Sequence, residues 1–68
     1  MKTHPDWINP DFDLAGVDPN ASAVIAAVRQ ALKDAGNSRA VVEAYMAEAR
    51  QGDYDHLLTV SLLYSGQL

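Results

Sequence analysis

Three glycines divide most of this chain into segments long enough for several helical turns, and this spacing constrains the fold more than any other feature. Gly36, Gly52 and Gly66 each close a segment, and glycine is favoured just beyond a helix because it adopts a left-handed backbone without steric cost. Each segment also begins beside a residue type that accepts hydrogen bonds from the first helical amides. These cap candidates are Asp18 (followed by Pro19), Asn37-Ser38 and Asp53. The pattern predicts three helices joined by short links, near residues 19–35, 38–51 and 53–64.

The first two segments show helical periodicity. Residues 21–35 are rich in alanine and place apolar side chains at helical spacing, and Pro19 suits the first helical position because the amide there has no partner within the helix. In the second segment, Arg39 and Glu43 form an i, i+4 pair that contributes only about 0.2–0.5 kcal/mol. Burial of apolar side chains must therefore supply most of the stability of this helix.

The third segment is ambiguous, because Leu58, Val60, Leu62 and Tyr64 also alternate as in a strand. We favour a helix, since carboxylates are stabilising at the start of a helix and an isolated strand has no partner. A helix over this segment is apolar on nearly all sides. It is therefore expected to be central in the fold or shared with a second chain.

Residues 1–18 lack helical periodicity and contain Pro5 and Pro10, which lack amide donors and disfavour helix in the residue before them. Bulky apolar residues in this stretch predict an irregular arm that is ordered by packing against the helices. A chain of 68 residues without cysteine has a small core and no disulfide or thiolate–metal site to reinforce it. We predict a single all-α domain, a small three-helix unit over residues 19–68 with an ordered irregular N-terminal arm over residues 1–18.

The charge balance bears on the kind of partner. The chain has five lysine and arginine residues against nine carboxylates, a net charge of −4, and no run of basic residues. Proteins that bind nucleic acid directly or dock on anionic membranes usually cluster basic residues, so we expect neither partner. No apolar stretch has the length of a membrane span, and the first residues lack the apolar region of a signal peptide. We expect a cytoplasmic protein.

Two groups of residues resemble a family of very short uncharacterised proteins encoded by bacteriophages, prophages and other bacterial mobile elements. The first group is Phe12-Asp13-Leu14, Gly16, Asp18 and Asn20-Ala21, and the second and more specific is Gly52-Asp53-Tyr54-Asp55-His56-Leu57-Leu58 with Val60-Ser61. The resemblance spans most of the chain, residues 11–61. Pro19 stands where the family usually has glycine, and Ser22 where it has a large apolar residue, so the start of the first helix departs from the family pattern.

The resemblance implies a biological context and no catalytic activity. Small acidic phage proteins often bind a host protein, and several block bacterial immune systems. The resemblance therefore implies a host protein as partner and, for a phage-encoded chain, the host cytoplasm as location.

The chemistry-bearing residues do not form an enzyme motif. The serines lack an adjacent base, and no glycine-rich phosphate loop is present. Asp53, Asp55 and His56 are the one acid–imidazole cluster, but residues at i, i+2 and i+3 do not share one helix face, and helix capping explains both carboxylates. A metal site with His4 and Asp6 would require the arm to fold across the third helix. We expect no catalytic residue, no metal and no cofactor.

Surface contacts to a partner are predicted at both ends of the chain. Trp7 and Ile8 lie between two prolines, and a tryptophan there is either an interface hot spot or an anchor of the arm on the core. The candidate partner-contact residues are Trp7, Ile8, Tyr54, Asp55, His56, Val60, Leu63 and Tyr64.

The apolar third helix also predicts self-association. A stripe around Val60, Leu63 and Tyr64 would stay exposed in a single small core, so we expect a homodimer that pairs this helix with its copy. The competing account is that the arm folds over the stripe and completes the monomer.

Three functions fit these observations. The first is a non-enzymatic phage or mobile-element accessory protein that binds a host protein, as an inhibitor of an antiviral defence system. The alternative is a self-associating structural or regulatory protein. An acidic DNA mimic is the weakest hypothesis, because the carboxylates are dispersed along the chain.

Overall fold

The computed structural model describes residues 2–68 as three α-helices preceded by an irregular arm. Helix α1 spans Ala21–Asp34, α2 spans Arg39–Ala49 and α3 spans Tyr54–Ser65. The described residues contain no strand. The predicted all-α fold is therefore confirmed, including a helix for the ambiguous third segment. No helix within residues 2–68 combines the length and the apolar character needed to cross a membrane.

Two of the three predicted helix caps are present. The Ser38 hydroxyl accepts a hydrogen bond from the Val41 amide at the start of α2, and the Asp53 carboxylate accepts one from the His56 amide at the start of α3. Each side chain satisfies an amide that has no partner inside its helix. The starts of α2 and α3 could be predicted from the sequence because a capping side chain bonds an amide only three residues further along the chain.

The start of α1 differs from the prediction. Asn20, and not Asp18, is the cap, and its side-chain oxygen accepts a hydrogen bond from the Ser22 amide. The Asp18 carboxylate instead accepts a hydrogen bond from the Asn20 amide, 2.9 Å away. Asp18 thus forms the turn that leads into the helix, and the prediction that Asp18 caps it was wrong. The short polar side chains of Asp and Asn suit both a turn and a helix cap, so residue type alone did not identify which of the two residues caps α1.

Two of the three glycines end helices by their backbone conformation. Gly36 and Gly66 both have φ +92°, the left-handed region that favours glycine after a helix. Gly52 has a different role, since α2 already ends at Ala49. A Cβ on Gly52 would lie 2.8 Å from Cβ and Cγ of His56. Gly52 is therefore required for the close approach of the α2–α3 link to the first turn of α3.

The core lies between the three helices and includes a buried polar contact between α2 and α3. The buried apolar side chains are Val24, Val28, Leu32, Val41, Val42, Tyr45, Ala49, Leu57, Val60 and Tyr64. Within this core, the Tyr45 hydroxyl shares a 2.8 Å hydrogen bond with the Ser61 hydroxyl. Burial raises the pKa of Tyr45 above its usual value, so this hydroxyl stays protonated. The bond satisfies two groups that would otherwise be costly to bury.

Hydrogen bonds between elements define the direction of the helices. The Tyr54 hydroxyl donates to the Pro19 carbonyl, which places the start of α3 beside the start of α1. The His56 imidazole Nε2 lies 2.9 Å from the Glu48 carbonyl, which places the end of α2 at the same end of the molecule. Helices α1 and α3 are therefore parallel, and α2 runs antiparallel to both.

The arm is held against the carboxyl end of α3. The Trp7 indole N–H donates to the Tyr64 carbonyl (3.0 Å), and the Phe12 amide donates to the Ser65 carbonyl (2.9 Å). These carbonyls belong to the last turn of α3 and have no acceptor role inside the helix. The predicted ordered arm is confirmed, and it supplies the polar partners that the end of α3 requires.

The apolar stripe predicted on the third helix is mostly buried. Val60 is 0% exposed and Tyr64 is 3% exposed, while Leu63 is half-buried. The arm contributes to this burial, because the His4 amide donates to the Tyr64 hydroxyl (2.9 Å) and Trp7 packs against the core. The prediction of an exposed stripe was therefore wrong for Val60 and Tyr64, and the arm covers Tyr64. The homodimer itself stays a prediction.

Candidate binding groove

The predicted partner-contact residues do not form one surface. Ile8 is 48% exposed near the carboxyl end of α3, whereas Tyr54 is 40% exposed at its amino end. Asp55 is exposed beside Tyr54. Trp7 is partly buried against the core, which is the anchor role rather than that of an exposed hot spot. The accessible members of the set thus lie at opposite ends of α3.

The acid–imidazole cluster is engaged in structural hydrogen bonds. Asp53 accepts a hydrogen bond from the His56 amide, and the His56 ring bonds the Glu48 carbonyl at the end of α2. The Glu48 carboxylate Oε2 lies 3.9 Å from His56 Nε2. These contacts join the end of α2 to the start of α3. Across residues 2–68, no three or more His, Cys, Asp or Glu side chains converge as a metal-binding group.

A groove between α1 and α2 brings together side chains that the sequence analysis did not connect. Its residues recur at helical spacing on both helices, so that one stripe of α1 faces one stripe of α2. The α1 stripe is Ser22, Ile25, Ala26, Arg29 and Lys33, and the α2 stripe is Arg39, Val42, Glu43, Met46 and Arg50. We refer to these ten residues as the α1–α2 groove.

The α1–α2 groove follows both helices for nearly their whole length. It consists of two adjoining depressions of about 270 and 460 Å³, and Arg29 and Met46 line both. Because the two helices are antiparallel, Ser22 and Arg50 meet at one end. The groove runs along about 16 Å of helix, given a rise of about 1.5 Å per residue. It is open to solvent and long enough for a segment of another chain.

Most of the positive charge of the protein lines this groove. Four of the five lysine and arginine residues are in it, with one of the nine carboxylates. That carboxylate, Glu43, pairs with Arg39 at 2.9 Å on the exposed surface. The remaining cations, Arg29, Lys33 and Arg50, form no salt bridge with any other described residue. A protein with a net charge of −4 therefore has one strongly positive face.

The floor of the groove is apolar. Val42 is 4% exposed, and Ile25 and Met46 are partly buried and pack against the core. Methionine is unbranched and adapts its shape to irregular partners. An apolar floor with a charged rim can bind another protein, since apolar contact contributes affinity and a charged rim contributes specificity.

The basic residues of this site do not form a run in the sequence, and for that reason the site was not predicted. Arg29 and Lys33 are four residues apart on α1, and Arg39 and Arg50 are eleven apart on α2, and both spacings repeat on one helix face. That periodicity was visible in the sequence. The side-by-side packing of the two charged stripes was not, since it depends on how α1 and α2 rotate against the core.

The resemblance to short phage proteins, carried by residues 11–61, stays a prediction. The contacts, burial and charges of the α1–α2 groove are independent of it. Comparison of the chain with protein-family models, with curated proteins and with solved structures finds no match.

Proposed function

We propose that this chain is a non-enzymatic accessory protein of a phage or other mobile element, and that it binds a host protein through the α1–α2 groove. The proposed consequence is inhibition of a bacterial antiviral defence system. The observation that carries the binding role is the concentration of four of the five cations around an apolar floor. The phage context comes from the sequence resemblance.

The composition of the groove favours binding over catalysis. Its one hydroxyl, Ser22, lines one depression, and its one carboxylate, Glu43, lines the other and is paired with Arg39. A nucleophile needs a base within hydrogen-bond reach, and this pair is not arranged in that way. Arginine and methionine, by contrast, are enriched at protein interfaces, and arginine is frequent among the residues that dominate binding energy.

A capture experiment tests the proposal. Immobilised wild-type protein is exposed to lysate of a bacterial host, beside an Arg29→Glu variant that reverses a charge shared by both depressions of the groove. Lys2→Glu is the matched control, because it makes the same kind of charge reversal at the one cation outside the groove. We expect one stoichiometric host protein with wild type and with Lys2→Glu, and its loss with Arg29→Glu. Circular dichroism verifies that each variant is folded.

Other outcomes contradict the proposal in distinguishable ways. A host protein retained by Arg29→Glu would place the binding surface outside the groove. Recovery of only further copies of this chain would favour the self-associating alternative. Capture of a nucleic-acid enzyme that is displaced from DNA and is indifferent to Arg29→Glu would favour the DNA mimic, whose acidic face must lie elsewhere.

A further inference from the structure

We infer that the α1–α2 groove accepts an acidic amphipathic helix of the partner protein, about three turns long. This inference rests on the proposed role of the groove as the binding surface and adds the chemical class and shape of what binds there. The shape of the groove, its floor and its charges each support this inference.

The shape fits a helix. Two antiparallel helices present facing stripes over about 16 Å, which corresponds to about three helical turns. A helix laid between them would pack on α1 and α2 from the side opposite the core and complete a four-helix arrangement. Recognition of an amphipathic helix in an apolar groove is a recurrent mode of protein binding.

The floor determines where the apolar residues of the partner must lie. Ile25 and Met46, which are partly exposed, provide the apolar contact, and Val42 lies buried beneath. A helix that buries one side here needs apolar residues spaced at i, i+3 or i+4, and i+7. Because the floor is only partly exposed and the rims are charged, the rest of the partner helix stays in contact with polar groups or water.

The rims determine the charge of the partner. Arg29 and Lys33 lie on the α1 side, and Arg50 lies at the end of the α2 side, all without a salt bridge among residues 2–68. Carboxylates flanking the apolar residues of a bound helix would pair with these cations, and arginine does so with two parallel hydrogen bonds. The charge complementarity favours an acidic partner.

A second copy of this chain and a nucleic acid fit the groove less well. A two-fold pairing of the groove with itself would bring the cations of the two copies together, which repels. Single-stranded nucleic acid is usually held by aromatic side chains that stack on bases, and the groove is lined by aliphatic residues and methionine instead.

A selection from random peptides tests the inference directly. A displayed library of peptides of about 16 residues is selected on the wild-type protein, with removal of peptides that bind Arg29→Glu. We expect the enriched peptides to be acidic, with apolar residues at the i, i+3 or i+4, i+7 spacing. A synthetic peptide from this set should bind wild type and Lys2→Glu alike, and should bind Arg29→Glu or Arg50→Glu at least about 10-fold more weakly.

The structure of the bound peptide and its salt dependence complete the test. Helical circular dichroism of the peptide should increase on binding, and affinity should fall with added salt, since exposed charge pairs are screened. If Arg29→Glu is unfolded, Arg29→Gln removes the same charge with a smaller change. The neutral variant is then expected to weaken binding in the same direction.

Four results would overturn the inference. Two concern the selection: enrichment of basic or uncharged peptides, or no enrichment above background. The third is a single-stranded DNA oligonucleotide that competes for the groove as well as the peptide does. The fourth is self-assembly, seen by sedimentation, that Arg29→Glu abolishes.

The capture experiment separates this inference from the proposed function. If host-protein capture is lost in Arg29→Glu although the peptide test fails, the groove remains the binding surface and only the acidic helix is wrong. If capture is insensitive to Arg29→Glu, the proposed function itself fails.

Discussion

The end of α3 and the α1–α2 groove are both partly apolar, yet the chain covers one and leaves the other open. At α3, the arm covers Tyr64 and hydrogen-bonds the carbonyls of Tyr64 and Ser65. In the groove, Ile25 and Met46 stay partly accessible between exposed cations. The apolar surface at the end of α3 is thus buried by the chain itself, whereas the groove, where we propose that a partner binds, is interleaved with charge.

The difference follows from what the polar groups of each region require. The last carbonyls of α3 lack helical partners and need donors once they are buried, and the arm provides them. Guanidinium and ammonium groups on long side chains remain solvated while their stems cover apolar surface. Substitutions at the arm should therefore alter stability, whereas substitutions in the groove should alter binding.

The largest expected effect is at Trp7. Trp7→Ala removes the aromatic packing of the arm and the indole bond to the Tyr64 carbonyl, and we expect it to lower the free energy of unfolding by about 3 kcal/mol. Ile8→Ala is the control, since Ile8 is the neighbouring residue and is 48% exposed, and it should cost less than about 1 kcal/mol. Urea denaturation measures both. Equal losses would mean that Trp7 does not anchor the arm.

The next effect is at Asn37, which links the arm to the end of α1. Its amide donates to the carbonyls of Ile8 and Leu32, and its oxygen accepts from the Ile8 amide at 2.7 Å. Asn37→Ala leaves the Ile8 amide and carbonyl without these partners, while the Leu32 carbonyl keeps its bond from the backbone amide of residue 37, and should cost about 2 kcal/mol. Gln30→Ala removes only an exposed bond to Asp34 and should cost less than about 0.5 kcal/mol. Thermal melts that fail to separate the two variants would contradict the role of Asn37.

A smaller effect distinguishes the two polar residues before α1. Asn20→Ala removes the cap and should cost about 1 kcal/mol. Asp18→Ala removes one exposed turn bond and should cost less, about 0.5 kcal/mol. Paired melting curves measure the difference. The reverse order would restore Asp18 as the residue that starts the helix.

The smallest effect is expected in the groove. Arg29→Gln and Arg50→Gln should each change the free energy of unfolding by no more than about 0.5 kcal/mol, because both side chains are exposed and neither forms a salt bridge among the described residues. Chemical denaturation provides the measurement. A loss above about 1 kcal/mol would show that these arginines stabilise the fold, and the contrast with the arm would disappear.

Local signals in the sequence were sufficient to predict the three helices. Ser38, Asp53 and the glycines at 36 and 66 act within a few residues of a helix end, so three helices and an irregular arm could be predicted from neighbouring residues alone. Two local predictions were wrong: Gly52 does not end α2, and the first cap is Asn20 rather than Asp18. Both residue types suit a turn and a cap, and the choice between them depends on the path of the arm.

The sequence by itself determined the three helical segments, several of their ends and the total charge, because these depend on residue type and on spacing of a few positions. Only the tertiary structure decided that Val60 and Tyr64 are buried and that the arginines of α1 and α2 lie on one face. Those outcomes depend on contacts between residues far apart in the chain, such as Trp7 with Tyr64. The physical reason is that an amphipathic pattern predicts which side of a helix is apolar. Which part of the chain covers that apolar side depends on the packing of the whole chain.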